Sequence, residues 1–356
     1  MDRETTDTAS ESAAKIAGLP FIQYFDYYHP FMPMPPATAK NVIAMGMSEN
    51  YRPTWYEDWP SGWNSNGITC QSSQYAAGFN YASERSRRGT HGTSRIKPDM
   101  MAPATMITSA RSAHGFITGG WCNEDYYGVG RYLLSSGTSF AAPVAAGAAL
   151  LASRKYSSNP ASASPALLKA MLAAGTVSLR GGTDHYSSTT IGPRTDVKQG
   201  FGRINLERLL SSTPARFYLN QSHVFTASGG TAWSQSFQRN DGTKPVIVVL
   251  AWTDAPGAEN ATSPLVNDLD LRVNEVPLSN CVIFRGNAIG SDDISIQDGC
   301  TQTIQYDHAN NVEIVVLPSY IVDFRVWVIP TTIAGQANPS ISGNNQDFAL
   351  YVYNAQ

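Results

Sequence analysis

The stretch Gly137-Thr138-Ser139 places a hydroxyl directly in front of a run of small residues, "FAAPVAAGAALL". A serine oxygen at the start of a helix can attack a carbonyl carbon. The oxyanion that forms then lies beside first-turn N–H groups, at the positive end of the helix dipole. Gly137 permits a sharp entry and the close approach of a substrate backbone. Ala141, Ala142, Ala145, Ala146, Ala148 and Ala149 are small enough to let the helix bury itself under a sheet. Pro143 is expected in the first turn, where its missing N–H costs little. The competing reading of Ser139 is a plain N-cap, a role that serine favours.

A second group of residues suits a cation. Asp268 and Asp270 alternate along a strand-like run, so both point to one face, with Leu269 and Leu271 toward the core. Asp254 could approach them. Asp307, Asn310, Asn311 and Glu313 form an oxygen-rich cluster of the kind calcium prefers. A structural calcium near Asp268 or Asp307 is therefore expected. The alternative is turn-forming Asx residues with no metal. No C-x-x-C pair is present, which argues against a cysteine zinc site.

Positioning these groups takes more than one domain, and 356 residues suffice for that. Hydrophobic residues make up 42%, an ordinary share, whereas charged residues are only 15%, below the usual quarter. The net charge of −3 and the lack of a basic stripe argue against a nucleic-acid partner. The most apolar stretch, 140 to 152, is too short and too rich in Ala, Gly and Pro to span a bilayer. Cys70 and Cys122 lie in one half of the chain, Cys281 and Cys300 in the other. The pairing Cys70–Cys122 and Cys281–Cys300 is preferred, and the two other connectivities stay open. Disulfides, with sequons at Asn220 and Asn260, suit an extracellular or secretory location. The opening "MDRETTDTASESAAK" is nonetheless unlike a signal peptide.

Residues 1–35 are aromatic, proline-rich and poorly patterned. From 36 to 212 strands and helices alternate. "NVIAMGM" reads as a buried parallel strand. "RIKPDMMAPATMITSAR" reads as a turn and short extended segments. "SPALLKAMLAAG" reads as a helix capped by Ser164 and Gly175, and "GFGRINLERLLSS" as a turn and short helix. From 213 to 356 the runs "KPVIVVLAWTD", "DLDLRVN", "VEIVVLP", "DFRVWVIP" and "DFALYVYN" are strands without helical periodicity, as in a β-sandwich or jelly roll. Two domains follow, an α/β domain and then an all-β domain.

Set in this context, "GTSFAAPVAAG" resembles the nucleophile signature of the subtilisin-like serine proteases, the subtilases. Phe140 stands where Met is usual, and Ala142 where Ser or Thr is usual. "SRRGTHGTSRIKPDMMAPA" is similar to the family's Arg-Ile-Lys-Pro-Asp segment, with Ala104 for the usual Gly. "PATAKNVIAMGMSEN" and "QGFGRINLERLL" look like flanking segments of the same domain. "LAWTDAP", "PLVNDLDL" and "YDHANNVEIVVLP" resemble the trailing jelly-roll domain of one branch. The resemblance covers about residues 36 to 356. It implies serine endopeptidase activity on protein or peptide substrates, with Ser139 as nucleophile and no cofactor needed for the chemistry. It also implies calcium in the β-domain.

The family's chain order is Asp, His, Ser, and the Asn that completes the oxyanion hole also lies upstream of the serine. Those upstream blocks have no counterpart here, so the chain is expected to hold the nucleophile half of the catalytic domain plus its accessory domain. His91 mimics the family's histidine setting but falls only 48 residues before Ser139, and it reads as a surface turn. Asp26 and His29 read as a solvated turn, and Asp99 as structural. His114, His185, His223 and His308 read as surface residues. Weak or absent activity of this chain alone is the expectation. The alternatives are a non-catalytic scaffold and a binding protein acting through its β-domain.

Overall fold

The computed structural model describes residues 33, 35–50, 82, 86, 88–89, 94–105, 107–110, 132–184, 188–258, 261, 263, 265–301 and 303–356. The expectations for Cys70, Cys122, Asp26, His29, His91, His114, His185 and Asn260 fall outside these residues.

Strands β1 (Met45–Ser48) and β2 (Met100–Pro103) run parallel, Met45 opposite Met100. Next come a hairpin of β3 (Ile107–Ala110) and β4 (Tyr132–Ser135), helix α1 (Thr138–Tyr156) and helix α2 (Pro165–Ala174). Short strands β5 (Thr176–Val177), β6 (Thr183–Asp184), β7 (Thr189–Thr190) and β8 (Arg203–Ile204) follow, then helix α3 (Leu206–Leu210). The first sheet has the order β1-β2-β8-β5. The capping signals act as read: Ser164 Oγ accepts from Leu167 N at 3.0 Å, and Gly175 ends α2. Asn205 caps α3 by accepting from Arg208 N at 2.8 Å.

The rest is antiparallel. Strands β9 (Arg216–Phe225), β10 (Trp233–Gln238), β11 (Val246–Ala251), β12 (Asn267–Glu275), β13 (Ile283–Ile289), β14 (Ser295–Asp298), β15 (Val312–Leu317), β16 (Asp323–Ile333) and β17 (Gln346–Tyr353) form two sheets. Their orders are β10-β16-β12-β13-β14 and β15-β11-β17-β9. Val248, Leu250, Leu269, Leu271, Val326, Val328, Phe348 and Leu350 fill one apolar layer between them. On the other face of the four-stranded sheet, Ile247, Val249, Ile314, Val316 and Tyr351 pack with Leu167, Ala170, Met171 and Ala174 of α2. That sheet is covered on both sides, so β11 and β15 are buried throughout; β11 reads as an unbroken apolar run, and β15 as one interrupted by Glu313. β16, covered on one side, alternates over its first eight residues.

A buried charge cluster ties the first sheet to α2. The Asp99 carboxylate receives Lys97 Nζ at 2.6 Å and Ala44 N at 2.7 Å, and Lys169 Nζ lies 3.0 Å from it. Lys169 Nζ also donates to the carbonyls of Lys40 (3.1 Å) and Val42 (3.2 Å). Burial alone would raise the Asp99 pKa, but Lys169 and Lys97 hold it below the usual carboxylate value. Gly200 backs this turn with φ +60, and a Cβ there would collide with the carbonyl oxygens of Pro98 and Asp99. Gly200→Ala is expected to cost about 2 kcal/mol or more, through both the backbone conformation and the overlap. Urea unfolding measures it, and a loss under 0.5 kcal/mol, on the order of a surface substitution, would contradict the packing described.

Cys281 and Cys300 form a disulfide with Cα atoms 5.2 Å apart, the pairing preferred from the sequence. Beside it, buried Asp298 pairs with Arg285 Nε at 3.0 Å and accepts from Thr303 Oγ1, Thr303 N and Gly299 N. Burial would raise its pKa, but these hydrogen bonds hold it far below the ordinary range. A depressed carboxylate contributes stability that is present above the unfolded-state pKa, about 4, and lost as pH falls through the folded value. Asp298→Asn should therefore lower stability at pH 7 by about 1–3 kcal/mol and flatten its decline on acidification. Parallel denaturation curves at pH 7 and pH 3 test this, and an unchanged acid dependence would count against it.

Candidate functional site

The C-terminal ends of β1 and β2 lead to the serine. Ala104 N donates to Ser48 O at 3.1 Å, and Gly137 N donates to Ala104 O at 3.1 Å. The entry to α1 is thus hung on the end of the parallel pair, where ligands of open α/β sheets gather. Asn50 Nδ2 donates to Thr105 O at 2.7 Å and steadies the same loop. Met47, Ala102, Ala104 and Ala141 pack together beneath it.

Helix α1 begins at Thr138, with extended Gly137 as its N-cap and no side-chain cap. Ser139 is therefore the second helical residue and does not cap the helix. It is exposed, and among the described residues its Oγ has no hydrogen-bond partner. No acidic side chain of the helix itself occupies its first turn, where the dipole is positive. Pro143 lies in the second turn, not the first as expected. Its missing N–H leaves the Ser139 carbonyl without its i+4 donor. Ala141, Ala145, Ala148 and Ala152 form the buried stripe, whereas Ala142 and Ala146 are exposed with Val144, Leu150 and Leu151. The small-residue run thus serves one face of the helix only.

Two histidines lie among the described residues, and neither is recorded in contact with Ser139. His223 on β9 stacks edge-on against Phe225, with ring centroids 4.9 Å apart. His308 Nδ1 lies 2.6 Å from Asp268 Oδ2 and 3.9 Å from Asp270 Oδ1. No histidine among the described residues therefore pairs with Ser139.

The oxygen-rich cluster of the β-domain is real but arranged differently from the sequence reading. Both Asp307 oxygens are used locally: Oδ1 accepts from Ala309 N and Asn310 N, and Oδ2 from the side chains of Asn287 and Asn310. Asp254 is held by Lys40, Val266 N and Asn267 N. Asp268 meets His308, which is exposed as the sequence reading has it, and Asp270 accepts from Thr331. Glu313 is fully buried and accepts from Leu271 N at 2.7 Å. Gly286 lies so close to the Glu313 carboxylate that a Cβ would overlap it. Burial pushes Asp270 up to about 7 and raises Asp268, while burial and the charges of Asp270 and Asp307 raise Glu313 well above normal. Burial alone would lower His308, but its hydrogen bond to Asp268 raises it. No sequence signal joined residue 308 to 268, because strand pairing brings them together across 40 residues.

Residues 33–202 match the subtilase family. The match contains the Ser139 turn, β1, β2 and the Asp99 cluster. Two curated relatives come from Dictyostelium discoideum. The "Serine protease/ABC transporter B family protein tagA" is 28% identical over 266 residues, covering 69% of this chain and 14% of the relative. The "Serine protease/ABC transporter B family protein tagD" is 30% identical over 327 residues, covering 76% of this chain and 17% of the relative. The chain thus spans under a fifth of the length of these relatives. No described helix is long and apolar enough to cross a membrane.

Proposed function

We propose that this chain is part of a subtilase-type serine endopeptidase, with Ser139 as the nucleophile and proteins or peptides as substrates. The observation that carries the reading is the position of Ser139. It is exposed, uncapping and second in α1, inside a segment that matches a protease family. Its Oγ would attack the scissile carbonyl and form an acyl-enzyme. First-turn N–H groups would face the oxyanion. The two stacked antiparallel sheets after residue 213 suit the jelly-roll accessory domain implied by the sequence, and Cys281–Cys300 suits a secretory route. Asn220, one of the two sequons, spends its side-chain amide on Ser162 O at 2.7 Å, so glycosylation there would cost that anchor.

A second reading, a non-catalytic scaffold, draws on the lack of a described histidine beside Ser139. Hydrolysis of internally quenched peptides by the full chain separates the two. Turnover that disappears in Ser139→Ala supports the endopeptidase, and turnover untouched by that substitution refutes it.

A further inference from the structure

We propose that Asp268, Asp270 and His308 form a binding site for a divalent transition-metal ion of the zinc type. One ligand atom from each of the three lies within 4.8 Å of the others. The site is built from a strand and a loop: β12 supplies both carboxylates from alternate positions on one face, and the loop before β15 supplies the imidazole.

The two carboxylates are buried but incompletely satisfied. Asp268 is 8% exposed and Asp270 1%. Oδ1 of each is buried without a hydrogen-bond partner, and so is Glu313 Oε1 nearby. A buried carboxylate oxygen without a partner is costly. One imidazolium can balance one carboxylate, and His308 reaches Asp268 at 2.6 Å but Asp270 only at 3.9 Å. A dication balances two. Donors on one zinc-type ion, each bound at about 2.0–2.2 Å, stand about 3.0–3.5 Å apart. The separations of 2.6 and 3.9 Å bracket that range, so small side-chain shifts suffice.

The donor set decides the class of metal. An imidazole nitrogen with two carboxylates suits zinc and its transition-metal neighbours, whereas calcium takes six to eight oxygens. Asp307, the other acid of the cluster, already has both oxygens engaged by its own loop and Asn287. The His308 side chain is 56% exposed, which leaves an entry path and room for a water ligand.

The test is calorimetric titration of the chelator-stripped full chain with Zn2+ alone at pH 7.5, with Ca2+ as a parallel titrant. One Zn2+ per chain is expected, with affinity at least about tenfold weaker in His308→Ala and in Asp270→Asn. Calcium should bind more weakly than zinc. Three results would overturn the proposal: no stoichiometric Zn2+ uptake, uptake unchanged in His308→Ala, or Ca2+ binding tighter than Zn2+. His308→Ala alone is decisive should Asp270→Asn fail to fold, because its side chain is more than half exposed on a loop.

Discussion

Asp99→Ala should destabilise the chain by about 3–5 kcal/mol, the cost typical of removing one partner from a buried ion pair. The carboxylate pairs with two ammonium groups, Lys97 and Lys169, and accepts the Ala44 N–H. Truncation strands two buried cations near each other and orphans a backbone donor. Burial already brings the Lys97 ammonium down to about 8, so it has little capacity to remain charged without Asp99. Because the cluster joins residues 40–44, the turn at 97–99 and α2, the loss should spread to the packing of α2 on the four-stranded sheet. Urea unfolding followed by tryptophan fluorescence reads it, since Trp252 is buried in the β-core. A loss under 1 kcal/mol, on the order of a surface substitution, would show that the cluster does not hold these elements together.

Ser139→Ala is the opposite kind of change. It should leave stability within about 0.5 kcal/mol, because the side chain is exposed and caps nothing. Its effect falls on chemistry, where removing a serine nucleophile costs about a thousandfold or more in kcat/KM. Stability loss without loss of hydrolysis would mean that Ser139 is a structural residue.

The local features of the fold were legible in the sequence because their causes are local. The caps of α2 sit within three residues of the groups they satisfy. The unbroken apolar run in β11 and the nearly unbroken one in β15 record burial on both faces. Leu269 and Leu271 alternate with Asp268 and Asp270 as strand geometry requires. What escaped was long-range. Asp99 and Lys97 are two residues apart, but Lys169 joins them from α2. His308 is exposed, as its sequence reading has it, but its pairing with Asp268 depends on placing β12 and the loop before β15 side by side. Pro143 was misplaced by one turn because the sequence does not fix the first helical residue.

The central claim is that Ser139 is a nucleophile. The most direct measurement is covalent labelling of the folded full chain with a fluorophosphonate, located by mass spectrometry of the tryptic peptide spanning 132–154. The prediction is an adduct on Ser139 that is abolished by prior denaturation and absent in Ser139→Ala. Folded protein with no adduct on Ser139, or labelling that survives denaturation, would contradict it.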